Sequence, residues 1–323
     1  MGLSWKKLTG AALAILLIFY AIGVWWSVEP EPLAPETLKT PAGQPVIGYA
    51  TTSALIDTMK TLLNKSGGWQ SNDVLPPTVL MDNMKAFEFG ALEQSRDLAL
   101  IMRKEFSRSQ SQSTADKDLL EAHSKLNIDH TSWLVPKAES EYNDAIKLLE
   151  MYRSRIADSD NSDAQFYARA DNLNEWLKEV QKRLGSMSQQ LSASVGQERI
   201  NTDLAGDSAA RQSTPSGSSY QLKTSWWQID NVFYEARGSS WALLNFMKAV
   251  ELDFADVLKK KNAEVSLRQI IRELEATQQP VWSPVILNGS GFGLVANHSL
   301  VMANYISRAN AAVIDLTNLL SQG

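Results

Sequence analysis

Apolar residues recur every three or four positions along most of this chain. Between 166 and 191 they fall at Phe166, Ala170, Leu173, Leu177, Val180, Leu184, Met187 and Leu191, in alternating steps of four and three. This is a heptad seam, and it predicts a long amphipathic helix. Tyr142, Ala145, Leu149, Tyr152 and Ile156 repeat the alternation just before it. The polar loop ADSDNSD (157–163) is short enough to predict that the two helices are antiparallel neighbours. A third seam runs through Ser240, Leu243, Met247, Val250, Phe254 and Val257; Trp241, Leu244 and Phe246 widen it into a face suited to a bundle core. Further helical periods cover about 53–63, 88–106, 115–126, 265–278 and 297–320, whereas strand-like runs are short (46–49, 79–81 and 281–287). The pattern predicts an all-α, bundle-like domain with long antiparallel hairpins.

A different pattern opens the chain. No charged residue occurs from Leu8 to Val28, and a helix of that length covers roughly 31 Å, enough to cross a bilayer core. Lys6 and Lys7 precede the span, and Glu29, Glu31 and Glu36 follow it. The bias of cationic residues toward the cytoplasm puts 1–7 inside and the bulk of the chain outside. Trp25 and Trp26 suit the outer interface. The apolar run ends on this bulky pair and not on a small-x-small cleavage site, so 8–28 reads as an uncleaved signal anchor.

Beyond the anchor the composition divides the chain. Residues 29–45 contain five prolines and read as an extended stalk that holds the domain off the bilayer. Residues 46–205 form a helical half with the heptad hairpin, 206–221 a Ser- and Gly-rich flexible linker, and 222–323 a C-terminal helical half with a Gly-rich loop. The stretches 55–69 and 267–282 each run a helix into a tryptophan, but their identity is low and chance explains the likeness as well as duplication does.

The net charge of −5 provides no basic footprint for nucleic acid. There is no cysteine, which excludes thiol chemistry and disulfides, and none of the three histidines is an i, i+4 partner of another. No metal site is expected. The acids Glu235, Glu251, Asp253 and Asp256 read as a solvated face, and the aromatic cluster at 225–237 reads as core.

The most suggestive motif is LNGSGFGLVA (287–296), which fits G-x-G-x-x-A with Asp315 at a ribose-binding distance in sequence. A dinucleotide site also needs a parallel sheet, which the strand-poor sequence does not provide, so no cofactor is expected. The loop reads instead as a tight turn into a capped helix, with Asn288, Gly289, Ser290, Gly291, Gly293, Asn297 and His298 as candidate ligand-binding residues. Ser290 lacks the G-x-S-x-G elbow, and no catalytic residue is assigned.

The segments FSRSQSQSTADKDLLEA, KAESEYNDAI, DAQFYARADNLNEWL, IDNVFYEARGSSWALL and LNGSGFGLVANHSLVMANYISRANAAVIDL resemble a family of uncharacterised, membrane-anchored proteins of Gram-negative bacteria. The resemblance runs from about Trp69 to Gly323. It implies an inner-membrane anchor with the domain in the periplasm, and no activity, cofactor or catalytic residue. The expected role is an interaction or scaffold protein that binds another envelope protein. The alternative is a cell-envelope enzyme or small-ligand binder that uses the loop 287–296 and His298.

Overall fold

The helical periods become helices with nearly the predicted bounds. The computed structural model describes residues 5–40, 45–108, 114–158, 163–200, 219–283, 285–289 and 294–322. The apolar N-terminal run is α1 (Trp5–Trp26). The first half continues with α2 (Tyr49–Asn64), α3 (Asp82–Ile101), α4 (Lys117–Leu126), α5 (Ala138–Ala157) and α6 (Ala170–Ser192). The second half holds α7 (Ile229–Asp253), α8 (Ala255–Lys260), α9 (Glu264–Thr277) and α10 (His298–Ser321). Caps mark some of the starts. Asp116 accepts from the amides of Asp118 and Leu119 at α4, and Asn297 accepts from Leu300 at α10, each satisfying amides that a first helical turn leaves free.

None of the three strand-like runs forms a strand. Residues 46–48 lead into α2, Thr78–Leu80 is a 3-10 turn, and the described part of 281–287 is irregular. Pro280 precedes that last run and Pro284 interrupts it, and together they withhold two backbone donors from any ladder. Among the described residues two strands occur, β1 (Gln197–Ile200) and β2 (Ser219–Leu222); they pair antiparallel, and β2 takes in residues 219–221, the end of the predicted linker. Most of 206–221 lies outside the described residues.

One apolar core contains side chains from α2 through α10 and so spans both halves. The heptad positions from Leu173 to Leu191 are buried, but the predicted hairpin partner is wrong. Helix α6 packs along α10, while α5 packs along α4 and α2. The reason lies in the connection. Phe166 to Arg169 extend the seam in sequence but are extended in structure. Tyr167 donates its amide to the Phe106 carbonyl at 2.6 Å, and Phe166 packs against Phe106 and Phe254. A crossing of that length carries the chain away from α5.

Side-chain pairs fix the directions. Arg155 near the end of α5 binds Asp116 and Asp118 at the start of α4, and Lys125 at the end of α4 binds Glu141 at the start of α5. These two helices form an antiparallel hairpin. Ser188 of α6 meets Ser307 of α10, and Gly185 lies beside Asn310, so this pair is antiparallel too. Where α3 crosses α7, Gly90 and Gly238 let the backbones touch. A Cβ at Gly90 would sit 2.0 Å from the Glu235 carbonyl oxygen, and one at Gly238 would sit 2.0 Å from that of Phe87.

Three further expectations need correction. The proline-rich segment does not stand clear of the domain: Leu38 is buried and Leu33 packs on the core. Asp253 is not part of a solvated face. It is 8% exposed and accepts from the Thr51 amide at 2.7 Å at the start of α2, where a carboxylate complements the helix dipole. Burial nonetheless pushes its pKa up, with the Thr51 hydrogen bonds opposing. Finally, Trp226 and Trp227 are 74% and 78% exposed, although Phe233 of the same aromatic cluster is core.

Candidate functional site: the junction of α1 and the adjoining cleft

Helix α1 continues into the domain through a set of specific bonds. Trp26 ends the helix, and its carbonyl accepts from Gln70 Nε2 at 3.0 Å. Gly67, at φ 83°, lies against the Trp26 ring; a Cβ there would come within 2.8 Å of Trp26 Cγ. Positive φ and close approach together call for glycine at this position. The loop that carries Gly67 and Gln70 is held from below by Glu88. This fully buried carboxylate pairs with Lys65 at 2.8 Å and accepts from the amides of Gln70 and Ser71 and from Ser71 Oγ. Burial drives the Glu88 pKa upward, against the pull of Lys65 and these donors.

The segment after α1 is clamped on a second side. Glu29 Oε2 accepts from Arg237 Nε at 2.6 Å. The same guanidinium donates to the carbonyls of Thr277, Gln278 and Gln279 as α9 ends. A cation belongs there, because the last carbonyls of a helix lack partners and carry its negative pole. Further on, the Leu33 amide donates to Asn245 Oδ1 at 2.9 Å, deep on α7.

Arg237 also lines a cleft of ≈ 390 Å³ between α7, the end of α9 and the start of α10, together with Phe233, Trp282, His298, Met302 and Tyr305. His298 faces this cleft but is fastened through its other side. Its Nδ1 accepts from the Leu287 amide at 3.1 Å, and its own amide donates to the Leu287 carbonyl at 2.8 Å. An accepting Nδ1 leaves the neutral ring's proton on Nε2, so the imidazole can offer a donor and not a base.

The structure brings four of the candidate residues together. Asn288 bridges to Asn297; Gly289 donates to the Ala296 carbonyl at 3.1 Å; Asn297 both caps α10 and donates to the Gly289 carbonyl. A Cβ at Gly289 would lie 2.5 Å from the Val295 oxygen, so this glycine is sterically required. Ser290, Gly291 and Gly293 lie outside the described residues. Asp315 is exposed on α10, seventeen residues beyond His298, and therefore roughly 26 Å away along the helix axis. It shares no site with the loop.

The sequence reading missed Arg237, Gln70, Glu88 and Asn245. A faint signal existed, because Arg237 and Asn245 are polar interruptions of an otherwise apolar helix face. Their partners, distant in the chain, gave no signal at all.

A family model described as "Uncharacterized protein conserved in bacteria (DUF2333)" matches residues 1–323. The chain belongs to the DUF2333 family. No curated protein and no solved structure matches it. For this DUF2333 chain, the junction and its cleft are therefore read from their own geometry. Most of the polar groups that converge there already bond to the chain itself.

Proposed function

We propose that this chain is a single-pass protein of the cytoplasmic membrane, with residues 1–7 in the cytoplasm and the bulk in the periplasm of a Gram-negative cell. Its role is that of an interaction or scaffold element that holds another envelope protein. The observation that carries the reading is the junction. Helix α1 is 22 residues long, apolar and uncovered along most of its length, yet its last turn is hydrogen-bonded to Gln70 and packed against Gly67 of the domain. A leader destined for removal gains nothing from such bonds. Lys6 and Lys7 on one side and Glu29 on the other support the orientation.

A structural role is favoured over chemistry because Arg237, Asn297 and His298 Nδ1 are all engaged within the chain. A reporter fused after Gly323 should be active in the periplasm and silent in the cytoplasm; the reverse would overturn the orientation. Crosslinking in intact cells should capture one discrete envelope protein whose deletion reproduces loss of this chain.

The cleft supports a second reading, in which a small apolar ligand binds between Trp282 and Tyr305; its size falls in the range of ligand pockets. His298→Ala and Tyr305→Ala, both at residues that line the cleft, separate the two. A normally folded, normally located variant that loses the cellular role favours the ligand site, and an unaffected role favours the scaffold.

A further inference from the structure

The helices of the domain share one end with α1. The loop 65–81 touches α1 itself: Gly67 and Gln70 meet Trp26, and Pro77 and Met81 lie 3.7 Å and 3.8 Å from where a Cβ on Gly23 would be. The loop 127–137 is fastened to that loop, since Asn72 Nδ2 donates to the Ser132 carbonyl and Trp69 Nε1 to that of His130. Trp226 and Trp227 border a hollow with Asp82 and Asn83, next in sequence to Met81. Trp282 stands beside Arg237, which holds Glu29. Four connections thus converge where α1 ends.

These connections carry large apolar side chains in the open. Leu75 and Leu80 are 72% and 80% exposed, and Trp133, Trp226, Trp227 and Trp282 range from 57% to 93%. Among the described residues, every strongly exposed tryptophan outside α1 lies on these connections. The opposite end differs. There Phe106, Phe166 and Phe254 pack tilted or edge-on against one another, and although Ile47, Leu252 and Val265 are exposed at that end, it carries no exposed tryptophan among the described residues. Exposed tryptophans confined to one end of a bundle mark a contact surface.

Depth identifies what the surface touches. A bilayer core of ~30 Å that starts at Leu8, just past Lys7, ends near Val28 at ~1.5 Å per residue. Gly23 is five residues short of that point, roughly 7 Å inside it. Ile22, Gly23 and Trp26 are the half-buried positions near the helix end, one face of its last turns. Whatever packs on Gly23 shares its depth. If α1 spans the bilayer, Pro77 and Met81 reach the lipid boundary, and their neighbours Leu75 and Leu80 are exposed beside them. Indole rings suit that boundary because they combine an apolar body with one N–H.

We infer that the domain sits directly on the outer leaflet of the bilayer that α1 crosses, with Leu75, Leu80, Trp133, Trp226, Trp227 and Trp282 as a ring seated in the interface. This rests on the anchor reading above and adds a second attachment to it. The ring fixes the tilt of the bundle and places the cleft with His298 close to the lipid surface.

Because the chain has no cysteine, single sites can be spin-labelled in the full-length protein. Leu13→Cys reports the anchor, Leu80→Cys and Trp227→Cys the ring, and Lys260→Cys the far end. In phosphatidylethanolamine/phosphatidylglycerol vesicles, the ring labels should show several-fold lower access to a water-soluble nickel chelate than Lys260→Cys, with oxygen access raised toward that at Leu13→Cys. Ring labels as water-accessible as Lys260→Cys, with Leu13→Cys in lipid, overturn the seating and leave the anchor standing; this is also what a protein partner on the ring would give in its absence. A water-accessible Leu13→Cys overturns both.

Discussion

Glu29 and Arg237 meet at 2.6 Å across 208 positions of sequence, and that contact ties the end of α1 to the end of α9. Arg237 is 6% exposed at its side chain and Glu29 23%, so the pair is largely out of water. Removing the cation leaves a partly buried carboxylate and three carbonyls without a donor. Arg237→Ala should cost about 3–5 kcal/mol in chemical denaturation. Arg237→Lys keeps the charge but not the fork and should fall between. Glu29→Gln should cost less, and should speed amide exchange at Leu33 more than in the core.

The α3–α7 crossing predicts a sharper effect from a smaller change. Gly90→Ala or Gly238→Ala places a methyl on a backbone carbonyl with no flexible side chain to yield. Each should cost about 3 kcal/mol or more, the upper range for overpacking. Gly10→Ala, with nothing nearby, should leave stability unchanged. Equal melting temperatures for all three would reject this close crossing.

Glu88 organises the loop beneath Trp26 and should matter beyond its own energy. Glu88→Ala strands Lys65 and three donors of the loop, and should cost about 3–5 kcal/mol. Local release is the more specific expectation. Exchange at residues 66–71 should rise together with accessibility of Trp26, which no independent loop would produce.

Acid should weaken the fold through two histidines. Burial holds His123 and His130 below the ordinary 6.5, and at His123 the nearby cations Arg103, Lys104 and Arg96 push the same way. As pH falls through 6.5 the unfolded chain takes up these protons before the folded one does. The stabilisation is therefore complete above that pH and is lost toward the folded pKa values. Glu88 and Asp253, raised by burial, act in the opposite sense. The comparison must therefore be differential: the double variant His123→Gln/His130→Gln should lose less melting temperature than the parent between about pH 7.5 and 5.5. Parallel curves would contradict it.

What the sequence made legible follows from what periodicity encodes. A 3.6-residue repeat states which face of a helix is apolar, so the buried positions from Leu173 to Leu191 and the α9 and α10 bounds could be read directly. It does not state which helix covers that face, which is why α6 was assigned to α5 when its partner is α10. Composition could not say that Trp226 and Trp227 face outward, because their exposure depends on which helix ends the fold gathers beside α1. Glu29 was legible only as a charge flanking a span, since its partner lies in another helix. Of the candidate loop, a polar cap at the start of α10 was legible from the sequence; that Asn297 supplies it, and that His298 Nδ1 meets Leu287, needed the fold.

Anchoring requires α1 to remain attached and in lipid. The direct measurement is the N-terminus and membrane partitioning of the native protein after alkaline carbonate extraction from its own cells. The expected result is a chain that retains residues 5–26 and stays with the membrane pellet. A mature protein that begins near residue 30 and is released into the supernatant would contradict it.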